Sequence, residues 1–97
     1  MVIEGMRVDW DDDKNEINKK KHGISFETAA YVFLDENRLE DFDLTHSTDE
    51  PRFVTIGHVH GIIFVVYTQR GDTPRLISAR TATPAERRAY YGQFGDS

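Results

Sequence analysis

The chain has 97 residues, 38% of them hydrophobic and 11% aromatic, with no cysteine and a formal net charge of −5. That length predicts one domain over residues 1–97 with a single modest core, and the lack of cysteine excludes a disulfide framework and a thiolate-bound metal. No apolar run approaches the roughly 18 residues that cross a bilayer, and MVIEGMRVDW has neither the cationic flank nor the apolar stretch of a signal peptide, so a soluble cytoplasmic protein without membrane association is expected. The net charge conceals an asymmetry. Residues 1–50 hold 6 Lys and Arg against 14 Asp and Glu, whereas residues 51–97 hold 6 Arg against 3 acids. Every cation of the second half is an arginine, whose planar fork of donors suits phosphate or carboxylate.

In chain order, Arg7 to Trp10 reads as a short strand. Asp11, Asp12 and Asp13 then open a helix with acids at its positive end, and Lys19, Lys20, Lys21 and His22 occupy its last turn before Gly23, the left-handed cap. Ile17 is almost the only apolar residue inside this helix, which implies a narrow buried stripe and a broad polar face. A second helix starts at Ser25 as N-cap, with Phe26, Ala30, Phe33 and Leu34 at core spacing. Arg38 to Asp43 alternates acidic and apolar residues as an exposed edge strand does, and Thr45 to Pro51 reads as a polar loop. Next comes a meander of strands over Arg52 to His60, Ile62 to Thr68 and Leu76 to Arg80, the middle run being apolar on both faces as an interior strand requires. Thr83, Pro84 and Glu86 satisfy the rules for a capping box with proline at the first helical position, so a final helix runs to about Tyr91.

Familiar chemical motifs are scarce. The alternate acids after Asp9 fail as an EF-hand loop, because Lys14 and Lys20 stand where glycine and glutamate are needed. His58 and His60 share a strand face in this scheme but lack a locally placed third ligand, so no metal and no cofactor is expected. No phosphate loop, nucleophile elbow or zinc-protease helix is present. The informative cluster is Arg70, Arg75 and Arg80 on one hairpin. A two-residue turn at Gly71-Asp72 would put Arg70 and Arg75 on one face and Arg80 on the other, whereas an odd loop would unite Arg70 with Arg80. If the ligand is RNA, its own 2′-hydroxyl can attack the phosphodiester. The protein then needs cations for the phosphorane and groups to move protons, for which His22 and Glu86 or Glu50 are the candidates.

The ordered residues Trp10-Asp11, Lys14, Asn18, Lys21-His22-Gly23-Ile24, Phe26, Ala29-Ala30 and Val32-Phe33, then Val66 to Asp72 (VYTQRGD), Ile77 to Arg80 (ISAR) and Ala82-Thr83, closely resemble the BrnT family of toxins from type II toxin–antitoxin pairs. The resemblance runs from about Val8 to Tyr91. It implies an α+β, RelE-like fold, with two N-terminal helices packed on a twisted antiparallel sheet and a C-terminal helix. It further implies a metal-independent endoribonuclease, held in a hetero-oligomer by a BrnA-like ribbon-helix-helix antitoxin that alone contacts promoter DNA. By motif position it points to Lys21, His22, Arg70 and Arg80 for RNA contact and catalysis, with Arg75 and Glu86 second; the expected catalytic set is thus His22, Arg70, Arg80 and Glu86, and the expected RNA-binding set Lys20, Lys21 and Arg75. The alternative is a non-catalytic module whose arginine surface binds an acidic partner protein. Direct DNA binding by the isolated chain fits poorly with the acidic net charge and the lack of a helix-turn-helix pattern.

Overall fold

The computed structural model describes residues 1–43 and 50–95. The expected loop from Thr45 to Pro51 falls mostly on residues 44–49, outside the described residues. The chain opens with a tiny hairpin of β1 (Val2–Ile3) and β2 (Met6–Arg7), then enters the main sheet through β3 (Asp9–Trp10). The expected single strand from Arg7 to Trp10 is therefore split between two sheets. Helix α1 (Asp12–His22) follows, then the one-turn α2 (Phe26–Ala29), a 3-10 segment (Ala30–Leu34), and β4 (Leu39–Phe42), β5 (Arg52–His58), β6 (Ile62–Arg70), β7 (Thr73–Thr81) and α3 (Pro84–Gly92). The main sheet has the order β3-β7-β6-β5-β4. It is mixed rather than purely antiparallel, because β3 runs parallel to β7, pairing Asp9 with Arg75 and Trp10 with Leu76. The expected meander is its centre, and β4 is its edge.

Local chemistry explains each helix end. Asp11 caps α1 by accepting from the Lys14 N–H, and Gly23 closes it at φ 73° while its own N–H returns to the Lys19 carbonyl. Ser25 caps α2 through the Thr28 N–H. The expected second helix survives as only one α-turn before tightening to 3-10 geometry. That tighter winding seats Val32 against β5 at Gly57, where a Cβ would lie 2.7 Å from Val32 Cγ2. Phe26 and Ala30 are fully buried as expected, but Leu34 stays 38% exposed. Thr83 and Glu86 complete the capping box that starts α3, with Pro84 in its first turn.

Two layers sandwich the sheet. On one face α2 and the 3-10 segment bury Phe26, Ala29, Ala30 and Val32 against Ile63, Val65, Tyr67, Leu76 and Ala79. On the other face α3 covers only one end, where Tyr90 packs with Ile62, Ala82, Leu39 and Ile56. Tyr90 donates to Asp35 Oδ2 at 2.6 Å, which ties α3 to the end of the 3-10 segment. Among the described residues no other helix covers the rest of that second face.

Helix α1 flanks the β7 edge and is held there by amides rather than by hydrocarbon. Ile17, expected to be its buried stripe, is 63% exposed, while Asn15 and Asn18 are buried. Asn18 imitates a strand peptide: its Nδ2 donates to the Ala79 carbonyl at 2.9 Å and its Oδ1 accepts from the Ala79 N–H at 3.1 Å. The same Nδ2 donates to the Ile24 carbonyl at 2.9 Å. Asn15 accepts from the Phe26 N–H at 2.8 Å and donates to Glu27 at 2.6 Å. Polar burial of this kind is stabilising only because the groups are matched with backbone partners.

Candidate functional site

The site rests on the register of β6 and β7. Arg70 pairs with Thr73 across the two-residue Gly71-Asp72 turn, and Thr68 pairs with Arg75. Simple alternation from that turn would send Arg80 to the opposite face. It does not, because Tyr67 pairs with Leu76 while Val66 pairs with Ser78, leaving Ile77 as the extra residue of a β-bulge. The bulge shifts strand parity by one. Ser78 and Arg80 thereby join Arg70 and Arg75 on the open face, with Arg80 opposite Phe64. The Arg80 guanidinium lies over the Phe64 ring at 4.0 Å from its centroid.

Helix α1 forms one rim of this face. Lys14, Ile17, Asn18, Lys21 and His22 line a groove of about 270 Å³ with Ile77 and Ser78 of β7. Next to it, a polar depression of about 130 Å³ is lined by Asp11, Lys14, Glu50, Arg52, Thr68, Arg70, Arg75, Leu76 and Ile77. Lys14 and Ile77 line both, so the depression beside His22 adjoins the one that holds Arg70 and Arg75. His22 is half-buried and Lys21 exposed. Lys20 is exposed on α1 and lines neither depression.

Arg52, level with Thr68 and Arg75, shares this face, and Arg70, Arg75 and Arg80 each meet a carboxylate of their own chain in pairs that differ in kind. Arg70 donates through Nε and Nη2 to the two oxygens of Glu50 at 3.2 and 2.8 Å. This exposed pair holds the Glu50 carboxyl below its usual range and raises Arg70, in each case chiefly through the hydrogen bonds between them. Arg75 gives a single bond from Nη1 to Asp9 at 2.9 Å. Arg80 presents Nη1 and Nη2 end-on to Glu86 at 2.8 and 3.0 Å, and Nη1 also reaches the Thr81 carbonyl. Glu86 is further tied by accepting the Thr83 N–H at 2.8 Å. Its carboxyl is held below the usual range, first by the bond from Arg80 and also by the Thr83 N–H, against the opposing effect of burial. A carboxylate held this way is ionised at neutral pH and has no proton to give.

Chemically, Arg80 is fixed from below by an aromatic face and from one end by a bidentate acid. Its Nε–H and the second Nη2–H form another fork, which makes no hydrogen bond among the described residues. The structure thus brings His22, Lys21, Arg70, Arg75 and Arg80 around one surface and puts Glu86 behind Arg80. The expected shared strand face of His58 and His60 is absent, because β5 ends at His58 and His60 sits in the following turn at φ 58°. Sequence reasoning missed Lys14, Ile17, Phe64 and Ser78. The helical spacing of Lys14, Ile17, Asn18 and Lys21 was a usable signal for the rim, but only the bulge identifies Phe64 and Ser78.

Together the described residues define an α+β fold of three helices and a mixed five-stranded sheet, with an arginine-lined depression on the sheet face that α3 covers at one end only. Residues 10–86 match the family described as the ribonuclease toxin BrnT of type II toxin–antitoxin systems, and the chain belongs to that family. Among solved structures it is similar to the crystal structure of the Brucella abortus ribonuclease toxin BrnT, with 28% identity and a TM-score of 0.61 over 80% of this chain and 97% of that one. No curated protein matches it in sequence. Among the described residues no helix is long and apolar enough to cross a membrane.

Proposed function

We propose that the open face is the active site of a metal-independent, RelE-like endoribonuclease acting in the cytoplasm. In it the RNA 2′-hydroxyl attacks the adjacent phosphorus. The 2′-oxygen–phosphorus bond forms, the bond to the 5′-oxygen breaks, and a 2′,3′-cyclic phosphate and a 5′-hydroxyl result. Charge on the phosphorane is met by the second fork of Arg80, whose position is preset by Phe64 and Glu86. His22 is the group that moves protons, since imidazole as a side-chain type exchanges them near neutrality. Arg70, Arg75 and Lys21 hold flanking phosphates, and Lys20 adds long-range attraction from beyond the groove. Glu86, expected among the catalytic residues, is here a positioning residue for Arg80. A BrnA-like ribbon-helix-helix antitoxin in a hetero-oligomer with this chain neutralises it, and promoter DNA is contacted only through that partner.

The observation that carries the assignment is the bulge at Ile77, which collects the arginines of both strands on one face beside the His22 groove. The test is cleavage of single-stranded RNA in EDTA by the wild type, His22→Ala and Arg80→Ala. Loss of one preorganised donor to the phosphorane lowers the rate by about 10²- to 10³-fold, so Arg80→Ala falls by that factor and His22→Ala by about 10²-fold or more. Equal cleavage by the three proteins would assign the activity to a contaminant.

A binding-module reading has one observation in its favour: Arg70, Arg75 and Arg80 each already accommodate a carboxylate. It expects no cleavage at all, together with capture of an acidic protein segment that is lost in Arg70→Ala and Arg75→Ala.

A further inference from the structure

Two of the carboxylates paired with these arginines, Glu86 and Glu50, are held differently, and the difference has a functional meaning. Glu86 is anchored twice, to Arg80 and to the Thr83 N–H of the α3 cap, and it takes only the end-on edge of its arginine. It cannot leave without undoing a helix start. Glu50 has no other hydrogen bond among the described residues, its side chain is 46% exposed, and it occupies the side-on fork of Arg70, which is itself 54% exposed. Carboxylate and phosphate present the same pair of acceptor oxygens to that fork. Exposed pairs of this type hold little net free energy and exchange readily.

Resting on the RNA-cleaving assignment above, we infer that Glu50 is a resident counter-ion that stands in a phosphate position of the groove, so that RNA binds Arg70 by displacing it. The wall of the depression supports this, since four cations, Lys14, Arg52, Arg70 and Arg75, line it against two acids, Asp11 and Glu50, and of those two it is Glu50 that occupies the fork of Arg70. The pairing has two consequences. Part of the affinity for RNA is cancelled within the chain, and the freed carboxylate recovers a cation whenever RNA releases one. Glu50 therefore lowers both the affinity and its salt dependence.

The experiment measures binding of a fluorescent single-stranded oligonucleotide with 2′-O-methyl riboses, which cannot be cleaved, by the full chain at several salt concentrations. Glu50→Gln binds it about 3- to 10-fold more tightly than the wild type, and the slope of log affinity against log salt steepens by somewhat under about one unit. In an Arg70→Ala background the same substitution gives a clearly smaller gain, because Glu50 then only repels the strand and no longer blocks a fork, a coupling that a merely structural role for Glu50 would not produce. Equal or weaker binding by Glu50→Gln, while the wild type binds and cleaves RNA, would overturn the counter-ion role and leave the nuclease standing. Folded wild-type and Glu50→Gln proteins that both ignore the oligonucleotide at the lowest salt, with no cleavage of natural RNA, would overturn the nuclease assignment and this inference with it.

Discussion

At the residue scale, the working unit is a guanidinium held in place before any ligand arrives. Arg80 is held by an aromatic ring against its face and a helix-capping carboxylate at its end, which removes the rotamer entropy that a free arginine would lose on binding phosphate. Lysine at this position would keep the charge but lose the fork. The cost of the device is a pH dependence. Glu86 has a folded-state pKa below its ordinary value of 4.5, so its ionised form contributes stability that is fully present above that value and is lost as pH falls through the lower folded value. Thermal melting of the wild type and Glu86→Gln from about pH 7 to about pH 3 checks this. The variant melts lower at neutral pH, and the two curves converge in acid; a constant offset across the range would contradict the assignment. A second polar joint works in the same sense. Burial raises the Tyr90 hydroxyl, helped by its bond to Asp35, up to about 12, so it remains a donor throughout the useful pH range.

At the element scale, the helix that carries His22 and Lys21 is fastened to the sheet by one side chain. Asn18 satisfies both backbone groups of Ala79 at the β7 edge, where β3 has already ended, so the carboxamide continues the ladder that the short strand leaves off. Asn18→Ala leaves a buried N–H and a buried carbonyl without partners, at a cost of about 2–4 kcal/mol. The melting temperature falls by roughly 10–20 °C, and cleavage falls with it even at temperatures where the variant remains folded, because the His22 rim is no longer held against Ser78. A melting temperature within a degree or two of the wild type would show that α1 is seated by other contacts.

At the scale of the whole molecule, an acidic chain carries Arg52, Arg70, Arg75 and Arg80 on one sheet face. The aspartates at the start of α1 and the acids of the first half create a net field that opposes RNA, so binding depends on short-range contacts in the groove. With roughly three to four phosphates engaged by Lys21, Arg70, Arg75 and Arg80, the affinity for a single strand falls about 15- to 60-fold between about 50 and about 200 mM salt. Anisotropy titrations over that range read the slope directly; a flat response would mean that the groove does not contact phosphate. The lysine run before Gly23 serves both scales. It complements the carbonyl end of α1 against the helix dipole, and one of its members, Lys21, also reaches the groove.

What the amino-acid order determined alone is the set of elements whose causes are local. The caps at Asp11, Gly23, Ser25 and Thr83, the meander of β5 to β7 and the charged edge at β4 all follow from a residue and its near neighbours. So do the motif residues that mark the BrnT family. What only the tertiary structure decided is which face each side chain reaches and what it meets there. The parallel seating of β3, the amide-bound helix α1, the bulge at Ile77 and the assignment of Glu50, Asp9 and Glu86 to separate arginines all join residues distant in the chain. A strand alternates with a period of two, so a single unpaired residue reverses every side chain beyond it. Whether β7 contains such a residue depends on its fit to β6 and to Asn18, which no local pattern records.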